Sequence, residues 1–414
     1  MSVLHRELPT PSDRMGILWS IMPIHQCVVL EYGPSGTTHF SITTSGRMEA
    51  EAKDRLFCTH LTQQDVIMGS TKHLEEAILE IDRTKKPKYI FIVGSSVTSI
   101  IAADLQGVIY MMQDQVQAKL ICFEHGGFRG DYALGIRDAL KALSIMVKPP
   151  QKKDNNKFNI IGAVGDSYRN SSDIVALCDV MERAFGMEPL AIIPQTASAT
   201  IEQSSEAAIN LVVRNEGLAL AKIMETEFGI PYLYGCPYGY QGTKKWLTQI
   251  GEKMDRLPDR DLIEYLDEQS AECHQYKMYQ MMRKIPLKAK IFANYDVSLG
   301  IGDFLREELF FEEVDQYVSH SLKHIEACKE NVIPMTHEGE KIQCAQDIRD
   351  TFVLGDDCLL KMVDSSNTTI RVAHPIFEWT TIARHMPFMT DKGADYIREY
   401  VEAYLRSMLR NKND

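Results

Sequence analysis

The chain has 414 residues, 44% hydrophobic and 25% charged, the balance of a soluble globular protein with apolar content enough for two or three domains. Its formal charge of -12 argues against a nucleic-acid surface, where phosphate contacts need clustered Lys and Arg, and no apolar run approaches the ~18 residues of a membrane span. Small molecules or other proteins are the expected partners, and a first segment without the basic and apolar regions of a signal peptide points to the cytoplasm.

In chain order, Pro9-Thr10-Pro11-Ser12-Asp13 carries turn chemistry and Met15 to Met22 reads as an apolar helix. Cys27 to Leu30 is a short buried strand that ends in the glycine-punctuated turn Gly33-Pro34-Ser35-Gly36. Phe57 to Leu61 and Asp65 to Gly69 follow, then an amphipathic helix over Lys72 to Ile81. Tyr89 to Val93 is a second β-rich run, broken by Gly94-Ser95-Ser96 and followed by a helical pattern through Ile100, Ile101 and Leu105. A parallel strand of this kind delivers its turn to a crevice where a helix N-terminus presents free N–H groups. Ser95, Ser96 and Thr98 stand there, either to meet a ligand or simply to cap the helix. Ala118 to Phe123 is another strand, Glu124 to Gly130 a third glycine-rich loop, and Ala133 to Leu143 a helix.

Pro149 to Lys157 is polar and proline-led and reads as a linker. Beyond it come strand Phe158 to Val164, helix Ser172 to Phe185, strand Pro189 to Ile193, a helix opened by Thr200 and Gln203 as a capping box, strand Asn210 to Val213, helix Glu216 to Phe228 and strand Tyr232 to Tyr234. Trp246 to Arg283 is mostly helical. Ala289 to Tyr295 starts a third unit with Gly300-Ile301-Gly302 opening a helix, Ile370 to Ala373 is the last strand, and Lys392 to Leu409 the last helix. The pairs Glu307-Glu308 and Glu312-Glu313 read as a solvated face. The expected fold is α/β, with three Rossmann-like doubly wound units of parallel sheet over 1–150, 151–285 and 286–414, the glycine loops at Gly33, Gly94 and Gly127 converging in the first.

Nine cysteines, an odd number, read as reduced thiols, and the closest pair, Cys344 and Cys358, is too far apart for a zinc-type or ferredoxin-type run. No Walker A or Gly-x-Ser-x-Gly sequence is present, and Leu305 fills the place of the third glycine after Gly300-Ile301-Gly302.

With these loops in hand the chain resembles the nitrogenase component 1 family: the molybdenum-iron protein subunits, their cofactor-assembly homologues and the dark-operative protochlorophyllide reductase subunits. Gly33-Pro34-Ser35-Gly36 is similar to the family's His-Gly-Pro-x-Gly-Cys loop, and Asp65 to Gly69 with Lys72 to Ile78 to its Asp-Val-Val-Phe-Gly-Gly and following helix. Phe91 to Gly94 with Asp104 resembles its cluster strand and next helix. Gly127-Phe128-Arg129-Gly130 with Leu134-Gly135, and His374-Pro375-Ile376-Phe377, complete a match that runs nearly end to end.

The resemblance implies an iron-sulfur cluster or related metallocluster shared with a partner subunit, and cofactor-binding positions at Gly33, Gly36, Thr37, Cys58, Gly94, Ser96, Gly127, Arg129, Cys273 and His374. Where two family loops carry cluster-ligating cysteines this chain has Thr37 and Ser96, and a neutral hydroxyl is a poor iron ligand beside a thiolate. Cys58, Cys122 and His374 are left as candidate metal ligands; Cys58 can equally be a small buried hydrophobe, and His125 beside Cys122 an ordinary loop histidine. Cys273 falls loosely where the family's catalytic subunit hangs its large cluster, and would then face a cavity. Ile136 lies near the place of a catalytic-subunit histidine, so dinitrogen reduction by this chain alone is not expected. Phe57 matches the surface on which the iron protein docks, or is ordinary core packing.

Two functions follow from the resemblance. The first is an oxidoreductase subunit that accepts electrons from an iron-protein-like ATPase and reduces a small or bound substrate at a site shared with a second component 1-type subunit, or with another copy in a homo-oligomer. The alternative is a non-catalytic metallocofactor-assembly scaffold or cofactor-binding subunit, with no cluster in the isolated chain.

Overall fold

Cys27–Tyr32 and Tyr89–Gly94 bury every side chain, as central strands of a parallel sheet covered on both faces do. They sit in a computed structural model that describes residues 10–39, 55–124, 126–283, 286–374 and 385–413. The first sheet comprises β1 (Cys27–Tyr32), β2 (Leu56–Cys58), β3 (Tyr89–Gly94) and β4 (Lys119–Phe123), in the order β2-β1-β3-β4. The second comprises β5 (Asp154–Ile161), β6 (Glu188–Ile193), β7 (Ala207–Val212) and β8 (Tyr232–Tyr234), in the order β6-β5-β7-β8. The third comprises β9 (Lys288–Ala293), β10 (Glu313–Val318), β11 (Val332–Pro334), β12 (Phe352–Gly355) and β13 (Thr368–Arg371), in the order β11-β10-β9-β12-β13. Every pairing of these strands is parallel. In each sheet the chain winds outward from its first strand, returns across it and winds the other way. The strand order therefore reverses between β1 and β3, β5 and β7, and β9 and β12, and a crevice opens at the carboxyl ends of each pair.

Side-chain alternation joins the units. Val29, Phe91 and Val93 point to one core with Trp19, Ile136 and Ile193, whereas Val28, Leu30, Ile90 and Ile92 point to another, closed by Leu74 and Ile78 of the Lys72–Lys85 helix. The second and third sheets share a single core, in which Phe352 stacks on Tyr404 of the Thr390–Asn413 helix. That last helix also ties back to the second sheet's helices, with Asp391 on Arg183 and Lys392 on Asp179.

Two glycines set the first unit's closest helix contact. A Cβ on Gly16 would lie 2.0 Å from the Tyr132 carbonyl oxygen, and one on Gly135 1.8 Å from that of Asp13. The Asp13–Ile21 and Tyr132–Ala142 helices thus meet backbone to backbone. Gly135→Ala is expected to force them apart at a cost of about 3 kcal/mol in urea unfolding. Gly36→Ala, whose Cβ would meet nothing within 4 Å, should leave the midpoint nearly unchanged.

Several local expectations are corrected. The helical pattern through Ile100, Ile101 and Leu105 is two helices, Ser96–Ile100 and Leu105–Met112, because Ala102 turns left-handed and Asp104 caps the second through Gly107 N–H. Residues 154–157 of the expected linker are the exposed start of β5, registered on Ala207 and Glu188. Thr200 and Gln203 lie inside a helix, Ser198–Gln203, whose start is fixed by Ser198 N–H donating to the His25 carbonyl rather than by a capping box. Tyr295 begins a helix, and Gly300 and Gly302 sit mid-helix in Tyr295–Glu307, where the ring of Tyr238 and the amide of Gln316 leave no room for a Cβ. Glu308 is buried, its carboxylate accepting from the N–H groups of Tyr240, Gln241 and Gly242 at the start of the Tyr240–Met254 helix, not part of a solvated face.

Candidate functional site

The loops after β1, β3 and β4 meet around Ser95. A Cβ on Gly33 would be 2.5 Å from Ser95 Cβ, one on Gly126 2.1 Å from the Ser95 carbonyl oxygen, and one on Gly94 2.6 Å from that of Glu124. Gly127 follows at φ +105°, a conformation glycine takes without strain. Ser95 acts as a cap, its Oγ accepting from Thr98 N–H at 3.3 Å. Thr37 Oγ1 donates within 2.9 Å of the Pro34 carbonyl and lies 3.1 Å from Glu31 Oε1, and Ser96 Oγ donates to the Gly126 carbonyl at 2.8 Å. Both hydroxyls at the cluster-loop positions thus have hydrogen-bond partners within the fold. Cys58 Sγ donates to the Gly33 carbonyl at 3.1 Å and accepts from His60 N–H at 3.3 Å.

Beneath these loops lies a feature that sequence reasoning missed. Glu31, fully buried in β1, pairs with the buried guanidinium of Arg14, while Glu31 Oε2 and Thr38 Oγ1 find no hydrogen-bond partner among the described residues. One carboxylate inside the apolar run Cys27–Tyr32 was the available signal. Ile67, Met68, Ile100 and Phe128, on the segments that leave β2, β3 and β4, are exposed apolar side chains.

The other candidate residues lie apart from this cluster or at its edge. Gly36 is exposed and open. Arg129 is exposed and paired with Asp138 at 3.2 Å. Cys122 pairs in register with Ile92 and packs on the outer core, its thiol pushed up to about 12 by burial and then by Glu124 and Asp104. Phe57 is half-buried with Lys85 Nζ 5.3 Å above its ring, between the docking and the core expectations. Cys273 is buried in the shared core, with its thiol donating to the Gln269 carbonyl at 3.5 Å and pushed up to about 11 by burial. His374 is half-buried just after β13, edge-on to Tyr168 at 5.8 Å, and burial lowers its pKa. His125 and residues 375–377 of the His374 motif lie outside the described residues.

A second polar centre occupies the crevice between β5 and β7, also unread from sequence. Arg214 is buried, with Nη1 2.7 Å from Asp166 Oδ1 and Nε 3.0 Å from Glu216 Oε2. Gly162, at φ +99°, makes room for it, since a Cβ there would lie 2.4 Å from Arg214 Cγ. Asp296 joins from the third unit, accepting from Tyr234 O–H at 2.7 Å and Asn215 N–H at 2.9 Å. His320 Nε2 accepts from Tyr295 N–H at 3.1 Å, and Ser321 N–H donates to Asp131 of the first unit at 2.6 Å. Polar bonds therefore tie all three units at this junction.

Asp173 supplies a test of such burial. Its Oδ1 accepts from Phe388 N–H at 2.6 Å and Met389 N–H at 3.0 Å, and burial pushes the carboxyl from 3.8 to about 7. A raised folded-state value means that the unfolded chain releases this proton first, so the stability it contributes is full below pH 3.8 and is lost as pH rises to about 7. Asp173→Asn keeps the Oδ1 acceptor and removes the ionisable group. Urea midpoints measured across that range should fall less steeply for the variant than for the parent, and the variant should be the more stable at pH 8.

A cluster held by thiolates does not fit these donors. The first crevice offers two hydroxyls bonded to carbonyl groups, an ion pair and one thiol, and among the described residues no three His, Cys, Asp or Glu converge to hold a metal. Nor is any helix among the described residues long and apolar enough to cross a membrane.

Three parallel sheets, each wound outward from a central pair, define an α/β protein of repeated doubly wound units with its crevices at the strand ends. A sequence model of the family described as nitrogenase component 1 type oxidoreductase matches residues 12–397, and the chain belongs to that family. It is 29% identical over 234 residues to the nitrogenase iron-molybdenum cofactor biosynthesis protein NifE of Clostridium pasteurianum, an alignment covering 56% of this chain and 50% of that protein. It is 25% identical over 202 residues to a light-independent protochlorophyllide reductase subunit of Chloroherpeton thalassium, covering 48% of this chain and 36% of the other. The chain spans about half the length, or less, of these curated relatives. A solved structure of nitrogenase Cp1 at pH 6.5 superposes with a TM-score of 0.76 at 14% identity, covering 99% of this chain and 96% of that one, which establishes the shared fold.

Proposed function

We propose that this chain is a component 1-type subunit that holds and hands on a metallocluster jointly with a second subunit, in cofactor assembly rather than in reduction of a substrate. The observation that carries the reading is the first crevice, where Thr37 and Ser96, which the resemblance sets at the family's cysteine positions, bond to backbone carbonyls around the Arg14–Glu31 pair. A hydroxyl stays protonated at neutral pH and does not supply the soft, anionic donor that iron requires, so thiolates beyond Cys58 must come from a partner chain. Several relatives carry the name nitrogenase iron-molybdenum cofactor biosynthesis protein, which supports assembly over catalysis. The function that the sequence placed first, an oxidoreductase subunit fed by an iron-protein-like ATPase, is the second here, supported by the relative named as a reductase subunit.

In this reading Cys58 is the chain's own thiol at the shared site, and the exposed Ile67, Met68, Ile100 and Phe128 are side chains that the second subunit, or a second copy, covers. An obligate interface of this kind buries roughly 2,000 Å² or more. Light scattering of the chain with its co-expressed sister subunit is expected to give a stable complex at micromolar concentration. Ile100→Glu with Phe128→Glu should weaken it about a hundredfold or more, since both charges would be buried against apolar surface. A monomer in the presence of the sister chain contradicts the reading.

A further inference from the structure

Away from the crevices at the strand carboxyl ends, a groove of about 640 Å³ lies between the His274–Arg283 helix and the end of the Tyr295–Glu307 helix with the 308–312 loop, walled by Lys277, Gln280, Met281, Arg306, Phe310 and Phe311. Phe310 holds a left-handed backbone at φ +57°, which is unusual for a bulky side chain and is offset by its surroundings. Gln280 Nε2 donates to its carbonyl at 2.8 Å, His274 lies 5.4 Å from its ring centroid, and Lys277 Nζ stands 5.3 Å from the same ring. The ring is thereby fixed as one wall of an open slot. Lys277 has no ion-pair partner among the described residues, and Arg306 adds a second cation, bonded to Asp303 at 2.9 Å; Glu312 is the acidic residue on the wall.

The groove does not end at its own walls. Met278, Met281 and Met282, at i, i+3 and i+4, form one stripe on the same helix and are 60%, 69% and 77% exposed. Methionine side chains are flexible and polarisable, and such stripes adapt to helical ligands. A small molecule would fill the slot and leave the stripe wet, whereas a helix laid along it covers both. Charge selects among helices: on a chain of formal charge -12, Lys277, without an ion-pair partner among the described residues, attracts acidic segments that the rest of the surface repels, whereas Arg306 is neutralised by Asp303.

We propose that this groove is a docking site for an acidic amphipathic helix of a partner protein, with apolar side chains on the Met278–Met281–Met282 stripe and a carboxylate at Lys277. The probe is a fluorescein-labelled synthetic peptide with leucines at i, i+3, i+4 and i+7 and glutamates between them, titrated with the full chain by fluorescence anisotropy. Saturable binding is expected, lost for the counterpart with lysines in place of glutamates. Lys277→Glu should weaken it about tenfold and bring in binding of the lysine peptide, and Met281→Glu should abolish it. Both side chains sit on the helix surface, so circular-dichroism melting reports that the variants fold. No binding at roughly 0.1 mM peptide, equal binding of the two peptides, or indifference to both substitutions overturns the proposal. Full displacement by dodecanoate with binding unchanged in Met282→Glu would overturn it in favour of a small amphiphile. Self-association in sedimentation velocity that Met281→Glu abolishes would overturn it in favour of a second copy of this chain.

Discussion

Replacing Arg214 with methionine is expected to destabilise the protein by about 3–5 kcal/mol or more, because it strands charges rather than merely removing a bond. The guanidinium is the shared partner of Asp166 and Glu216, all three are buried, and methionine fills the space without supplying a donor. The pH dependence should identify the cause. In the parent the charge of Arg214 opposes the burial of Glu216 and holds its carboxyl below the ordinary 4.5, so this stability is present above pH 4.5 and lost as pH falls through the folded-state value. Without the cation, burial acts alone and the carboxyl binds its proton more tightly when folded. The deficit of Arg214→Met should therefore narrow as pH is lowered, and a variant that also carries Asp166→Leu and Glu216→Leu should regain much of the loss. A deficit of equal size at every pH would mean that lost packing, not the stranded carboxylates, sets the cost.

Thr37→Cys with Ser96→Cys is expected to raise the iron and sulfide content of the complex with the second subunit severalfold. The two positions flank the same crevice, since the loops that bear them close on Ser95 and Gly33, and each substitution exchanges a hydroxyl bonded to a backbone carbonyl for a thiol of similar shape. A thiol near a metal ionises readily and an alcohol does not. The Glu31 carboxylate, 3.1 Å from Thr37 Oγ1, opposes ionisation at that position, and its pairing with Arg14 offsets this charge. Either cysteine alone should do much less, since ligation requires convergent donors. A complex whose cluster content is the same with and without both cysteines would show that these positions are not where the cluster contacts this chain.

Much of the frame was legible because apolar strands ending in glycine turns report both their burial and the direction of the loop. Tyr89–Gly94 and Cys27–Tyr32 were readable in this way, and so was the convergence of the loops at Gly33, Gly94 and Gly127, although it is Gly126 that closes on Ser95. In the third sheet β9 and β13 were readable at Ala289 and Ile370, whereas β10, β11 and β12 were not. In β10 the acidic Glu313 and Asp315 hide a strand, and their partners, Lys288 and Lys290, lie on β9 across the ladder. Glu308 looked like solvated surface because the helix start it caps lies more than sixty residues away in sequence. The polar centre at Arg214 escaped for the same reason: Arg214-Asn215-Glu216 resembles an ordinary helix start, and only the fold brings Asp166, Asp296 and His320 around it. Buried charges announce themselves through partners, and sequence does not give the partner.

Iron and sulfide analysis of the anaerobically purified chain, alone and with its sister subunit, tests the central claim most directly. The account predicts little or no iron-sulfur cluster in the isolated chain despite nine cysteines, and a cluster in the complex that is sensitive to Cys58→Ala. A full four-iron cluster on the isolated chain, unchanged by Cys58→Ala and Cys122→Ala, would contradict it.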